Sequence, residues 1–140
     1  MTEPMIQLDS LVGNEFEVSI EGETVSGVFR IDNFITFKWD AATGERVHEP
    51  FRLVKMVQRD PENAVNRWLR QTVAPDANRP RRELTIRAVD DGTETRRWVV
   101  KGAWVGQVQY NVFDSASSEM VEEIITVYYD AIEESWPATS

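Results

Sequence analysis

Residues 82–129 read RELTIRAVDDGTETRRWVVKGAWVGQVQYNVFDSASSEMVEEIITVYY, and this stretch decides the fold. It reads as a long antiparallel β meander. Asp91-Gly92 marks a tight hairpin, because glycine tolerates positive φ, and joins strands expected at 82–90 and 94–101. Further strands are expected at 104–114 and 120–131, separated by the small polar run Ser115-Ala116-Ser117-Ser118. A strand that buries one face should be polar on the other. Here large residues fall on both faces, and Trp98, Trp104, Tyr110, Phe113, Tyr128 and Tyr129 exceed what a 140-residue domain can enclose. Part of that aromatic surface is therefore expected to meet another subunit.

Upstream, Phe16, Val18 and Ile20 alternate with Glu15, Glu17, Ser19 and Glu21, as in a strand with one wet face. Gly22-Glu23 predicts a turn into a strand at 24–31, completing a first hairpin. FITFKW at 34–39 predicts a third strand, apolar on both faces. Residues 40–50 form a polar loop with the single histidine, His48, and a fourth strand is expected at 51–59.

One helix stands out, at 61–73. Asp60 suits the N-cap and Pro61 the first helical position. Ala64, Val65, Trp68, Leu69 and Val73 fall on one stripe, leaving Asn63, Asn66, Arg67 and Arg70 in water, and Pro75 stops the helix. The fold class expected is mainly β: an antiparallel sandwich or barrel with one flanking helix. A single domain is expected over 1–132, with a loose tail at 133–140.

Composition narrows function. No apolar run reaches the roughly 18 residues of a membrane span, so no membrane insertion is expected. MTEPMIQLDS lacks the basic and apolar regions of a secretory signal, so synthesis in the cytoplasm is expected. The chain has no cysteine, which removes disulfides and thiolate metal sites. The net charge of −9 opposes binding to the outside of a nucleic-acid duplex, and fits ordinary solubility or a surface that repels nucleic acid.

The chemistry-bearing residues are sparse. His48 has no second histidine to share a metal or a triad with. Asp90-Asp91-Gly92 lacks the spacing of a calcium loop. Glu122 and Glu123, as strand neighbours, point to opposite faces and form no acid/base dyad. Gly92, Gly102 and Gly106 form no phosphate-cradling loop. No catalytic residue, metal or cofactor is expected, although scattered carboxylates such as Asp32, Asp114 and Glu119 keep an enzyme among the readings. Arg79, Arg81, Arg82, Arg96 and Arg97 make a basic island in an acidic chain. It reads as a solvated edge that discourages stray pairing, or as a patch for the acidic face of another copy.

The second half resembles the inner-tube proteins of contractile phage tails and related contractile injection particles. The likeness rests on Arg97-Trp98-Val99-Val100, the Ala103-Trp104 pair, the strand to Phe113, the polar run ending at Glu119, and the last strand to Tyr129. The first half is similar in layout, with a Phe-x-Val-x-Ile-x-Gly strand at 16–22 followed by a strand and helix at 51–73. Val105 stands where many members have proline, Tyr129-Asp130 where they have a His-Glu-Gly-like turn, and Gln58-Arg59-Asp60 where they have Lys-Arg-Gly. These departures leave a main tube subunit, a tube-end or adaptor homologue, and a more distant relative as readings.

The resemblance implies a structural subunit, not an enzyme. Six copies would form a ring whose strands close into a barrel, and rings would stack head to tail around a conduit for DNA or protein. Itself, a sheath protein and a baseplate are the partners implied, in a virion tail or injection particle. The candidate lumen residues are Glu15, Glu17, Ser19, Glu122 and Thr126; the candidate subunit interface is Trp104, Tyr110, Tyr128, Arg79, Arg81 and Arg82. The competing reading is a small monomeric β-barrel that binds a ligand between its strands, or a tail-assembly chaperone.

Overall fold

The computed structural model of the chain describes residues 15–75, 79–118 and 120–137. Its elements run β1 (Phe16–Ile20), β2 (Glu23–Val25), β3 (Val28–Asp32), β4 (Phe51–Met56), α1 (Ala64–Val73), β5 (Arg82–Asp90), β6 (Thr93–Tyr110), β7 (Glu122–Tyr128) and β8 (Ala131–Ser135). All strand pairs are antiparallel. The arrangement is sandwich-like and open, with one helix among the described residues.

β6 belongs to two sheets. Its first half lies between β5 and β8, and β5 continues to β1 and β2. Its second half pairs with β7, which continues to β4 and β3. β7 and β8 follow one another along β6 in nearly unbroken register, Trp104 opposite Tyr128 and Lys101 opposite Ala131. Between those pairs the ribbon bends. Gly102 has φ +67°, and a Cβ on it would overlap the side chain of Asp130. Arg81 Nη1 holds this corner, donating to Gly102 O at 3.1 Å and Asp130 Oδ1 at 3.3 Å.

Alternation explains what the bend encloses. Val18 and Ile20 of β1, Leu84 and Ile86 of β5 and Val100 of β6 face Leu53 of β4 and Ile125 and Val127 of β7. α1 closes one side through Ala64, Val65 and Trp68, and the Trp68 indole N–H donates to Pro80 O at 3.0 Å. Burying such side chains supplies most of the driving force for folding.

Local chemistry corrects several expected boundaries. The first turn is Glu21-Gly22, both at positive φ like Asp91-Gly92, as a two-residue hairpin requires. The strand expected at 24–31 splits at Gly27 (φ +96°), where the chain crosses to the other sheet. FITFKW is not a strand: Asn33 turns at φ +60°, and only an isolated bridge joins Trp39 to Arg46. Its apolar residues serve two purposes, since Phe34 packs inward on Phe51 and Trp98 while Phe37 and Trp39 stand in solvent.

The helix begins at Ala64, later than the proline suggested. Asn63 is the cap, its side chain accepting from Val65 N at 3.0 Å, and Asp60 instead binds Glu62 N in the preceding turn. The strands expected at 94–101 and 104–114 are one 18-residue strand. The tail expected to be loose from Glu133 is paired with β6 as far as Ser135, which β8 supplies as a continuation of the ribbon.

Candidate assembly surfaces

The side chains proposed for the lumen separate onto two sheets. Glu17 and Ser19 lie on the outer face of the β1–β5 sheet, and Glu15, just before β1, accepts from Asp91 N at 3.3 Å. Glu122 and Thr126 lie on the outer face of the β4–β7 sheet. Neither acidic strand presents an unbalanced charge. Glu17 pairs with Arg87 at 2.9 Å, and Glu122 lies 3.7 Å from Arg30. Arg87 also pairs with Glu94 at 2.6 Å, and Glu94 with Arg97 at 2.8 Å, forming a cross-strand ladder. The hydrogen bonds from Arg97 and Arg87 hold the Glu94 carboxyl below the usual glutamate range.

The aromatic interface candidates also separate. At the corner, Trp104 and Tyr128 stack at 4.7 Å between ring centres, and the Tyr128 ring lies over Gly106. Arg79 and Arg81 approach the Trp104 ring at 4.7 and 5.9 Å, so a cation–π layer covers it. Arg82 turns away to Gln71 at 2.6 Å. Arg96 sits 3.3 Å from the Trp136 ring. The basic island is thus engaged with aromatic rings, carboxylates and, at Arg82, an amide of its own chain. Tyr110 lies at the far end of β6, and its hydroxyl donates to Glu123 at 2.9 Å. That bond, with burial, raises the Tyr110 phenol above its ordinary value. Of the other large residues, Tyr129 is buried, Trp98 is half-buried, and Phe113 projects from the loop after β6.

Alternation also carries a pair that sequence reasoning passed over. Lys55 follows Phe51 and Leu53 inward, and Glu123 precedes Ile125 and Val127 inward. Their charged groups meet at 2.6 Å, with the lysine wholly buried. A lysine at an inward position of FRLVKM was the available signal. Above this pair, α1 and the second sheet leave an open groove of about 390 Å³ between Leu69, Val73, Val105, Val108, Tyr110 and Gln58.

The carboxylates considered for catalysis do not converge. Asp32 pairs with Arg30 at one end of the second sheet, while Asp114 caps its own turn beyond the other end. Glu119 lies outside the described residues. His48 packs edge-on against Tyr129 at 5.5 Å. Among the described residues no cluster of His, Asp or Glu is arranged to hold a metal ion, and no helix is long and apolar enough to cross a membrane. The space between the sheets, where a ligand-binding barrel would keep its cavity, is filled by the core.

The family model of the T4-like virus tail tube protein gp19 matches residues 12–133. The chain belongs to this tail tube protein family. It is a structural tube subunit, a component of a contractile tail or injection particle. No curated protein matches it. Among solved structures, its fold is similar to a chain of the extended sheath–tube complex of PVC, an extracellular contractile injection system. That match has 16% identity and TM-score 0.69, covering 91% of this chain and 93% of that one. A chain of the anti-feeding prophage tube terminating cap matches at 17% identity and TM-score 0.70, covering 96% of both. Hcp1 from Flavobacterium johnsoniae matches at 12% identity and TM-score 0.60, covering 87% of this chain and 95% of that one. At such identities the likeness is one of fold.

Proposed function

We propose that copies of this tube subunit join edge to edge through the β3-β4-β7-β6 sheet, closing six copies into a ring whose stacked repeats enclose a conduit. One observation carries the reading. Among the described residues β3 pairs only with β4, and residues 104–110 of β6 pair only with β7, so this sheet offers an unpaired edge at each side of a filled sandwich. Unpaired edges are templates for other strands, and closure removes them. The number six follows the family resemblance.

On this reading the outer face of that sheet lines the conduit. It presents Arg30, Asp32, Arg52, Gln107, Gln109, Glu122 and Thr126, two cations against two anions, around an apolar strip of Val54, Met56 and Ile124. A charge-balanced wall gives DNA or a charged protein little to grip, so cargo passes without tight binding. Glu122 and Thr126 keep their lumen role, and Glu15, Glu17 and Ser19 belong to the other sheet, away from this wall. Of the interface candidates, Trp104, Tyr110 and Tyr128 lie on or beside the open β6 edge. The subunit works without catalysis, is made in the cytoplasm, and contacts a sheath and a baseplate through its outer surfaces.

The test is analytical ultracentrifugation of the purified chain with negative-stain imaging. Closed six-fold rings with a central hole are the expected result. A protein that stays monomeric at every concentration, with or without tube fragments added as seeds, overturns the reading.

A further inference from the structure

We infer, on the basis of the tube reading above, that one extra residue in each open edge of the second sheet, Phe29 in β3 and Gly106 in β6, keeps partial rings from persisting, so that the chain passes from single copies to closed rings. The middle of this sheet is regular: β4 and β7 pair residue for residue from Phe51–Val127 to Met56–Glu122. Neither edge is. In β3, Val28 faces Lys55 and Arg30 faces Val54, so Phe29 has no residue opposite it. In β6, Val105 faces Val127 and Gln107 faces Thr126, so Gly106 has none. Single-residue bulges of this kind break the ladder and bend the strand, and natural sheets use them to blunt their edges.

The alternation of the sheet requires neither bulge. Val28 and Ile31 share the inner face with Lys55 and Leu53, and Val105, Val108 and Tyr110 share it with Val127, Ile125 and Glu123. Taking out Phe29 or Gly106 would leave every other pair and face as it is. Both extra residues are nevertheless held. The Tyr128 ring occupies the place a Cβ on Gly106 would take, and it is stacked on Trp104 at 4.7 Å, with Arg79 4.7 Å from the Trp104 ring. Phe29 is 40% exposed, and Arg30 lies 5.7 Å from its ring while pairing with Asp32 at 3.0 Å. What remains straight is short: residues 30–32 on one edge and 107–110 on the other. A contact of so few ladder bonds is weak between two copies. The end copies of an open string have one such contact each. In a closed ring every copy has two, and the last contact forms within one particle, at a high effective concentration. Weak single contacts with intramolecular closure favour the complete ring over its pieces.

The test is native mass spectrometry with sedimentation velocity on the full chain over a range of concentrations. The parent is expected to show single copies and rings of six, with species of two to five copies only in trace. Deletion of Phe29 or of Gly106 should leave the chain folded by circular dichroism. Either deletion should raise the intermediate species roughly tenfold, the effect of one or two more hydrogen bonds per contact. Phe29→Ala, which keeps the extra residue and removes only the ring, should behave as the parent does. Parent rings that assemble through abundant dimers and trimers overturn the inference. So do deletions that show the parent's two species, or a Phe29→Ala variant that matches the deletions. If one deletion unfolds, the other decides; if both unfold, the extra residues serve the fold and the inference is overturned. A parent that forms no rings overturns the tube-ring reading, and this inference with it.

Discussion

Lys55→Met removes the cation from a pair in which the lysine is 0% and the glutamate 6% exposed. Lys55 Nζ lies 2.6 Å from Glu123 Oε1 and donates to Met56 O at 3.1 Å. Tyr110 donates to the second carboxylate oxygen at 2.9 Å. Methionine keeps most of the apolar stem and loses the charge, leaving a buried carboxylate with one hydrogen bond and no counter-ion. Breaking a buried pair from one side costs about 3–5 kcal/mol. Because Tyr110 still satisfies one oxygen, the cost should fall near the lower end, about 3 kcal/mol. Glu123→Gln should cost a similar amount, since the ammonium then keeps only neutral oxygens. The double variant Lys55→Met/Glu123→Met should lie within about 1 kcal/mol of the parent, because apolar replacement of a whole buried pair is often neutral or better. The assay is urea unfolding followed by tryptophan fluorescence, with protein concentration held fixed so that assembly does not shift the midpoint. Single variants that lose less than about 1 kcal/mol, or a double variant that loses the sum of both, would refute the account by showing that the charges are hydrated and independent.

Trp68→Ala should cost about 3–5 kcal/mol in thermal or urea melts, since it empties a fully buried site. Trp68→Phe should cost less, separating packing from the bond to Pro80. Gly102→Ala should destabilise by more than the roughly 1–2 kcal/mol of a positive φ alone, because its Cβ meets Asp130. Gly22→Ala, at φ +83° with open space around it, supplies the comparison that lacks the overlap. The Glu94 carboxyl is held low in the fold, so its contribution is present above the ordinary glutamate value and is lost as pH falls through the lowered one. Glu94→Gln should flatten the acid limb of a stability–pH curve. The Tyr110 phenol is raised by Glu123 and burial, so its contribution is intact below the ordinary tyrosine value and is lost as pH climbs through the raised one. Tyr110→Phe should shrink that alkaline loss.

Where one face of a strand is buried, period-two alternation names the element and its orientation together, and β1 was legible for that reason; the strand expected at 120–131 instead ends at Tyr128 and resumes as β8. The hairpin at Asp91-Gly92 was legible because positive φ at two adjacent residues restricts the sequence, whereas the first turn was expected one residue late, at Gly22-Glu23, because Glu21 is an unusual residue at positive φ. FITFKW misled because apolar residues on both faces have two sources. In a central strand they are buried twice; here Phe34 is buried and Phe37 and Trp39 are simply exposed. Asp60-Pro61 misled because the same residues that start a helix also build the turn before one, and Asn63 took the cap instead. The fusion of two expected strands into β6 was hidden at Gly102, which looks like a breaker and acts as a bend. The candidate site was less legible than the fold. Alternation told which residues face outward, but not that Glu17 and Glu122 face outward from different sheets, because that depends on where the chain crosses at Gly27 and Gly102.

That bend is also what ties assembly to folding. Trp98 and Val100 sit in the first sheet's core, and a few residues later the same strand offers its open edge from Trp104 to Tyr110. β7 and β8 keep one register along β6 through the bend, and a single bulge between Val105 and Gln107 follows it, so slipping one half of β6 would strain the other. A one-residue slip would turn Val105 and Val108 outward and bring Gln107 or Gln109, according to its direction, into the place of Val108. The buried residues of the first sheet therefore set the position of the edge that the second sheet presents. On the proposed reading, this is why a ring can require accurate edge-to-edge pairing while the edge itself carries few residues that specify a register. Slippage at the interface is suppressed by the core of each subunit before any two subunits meet.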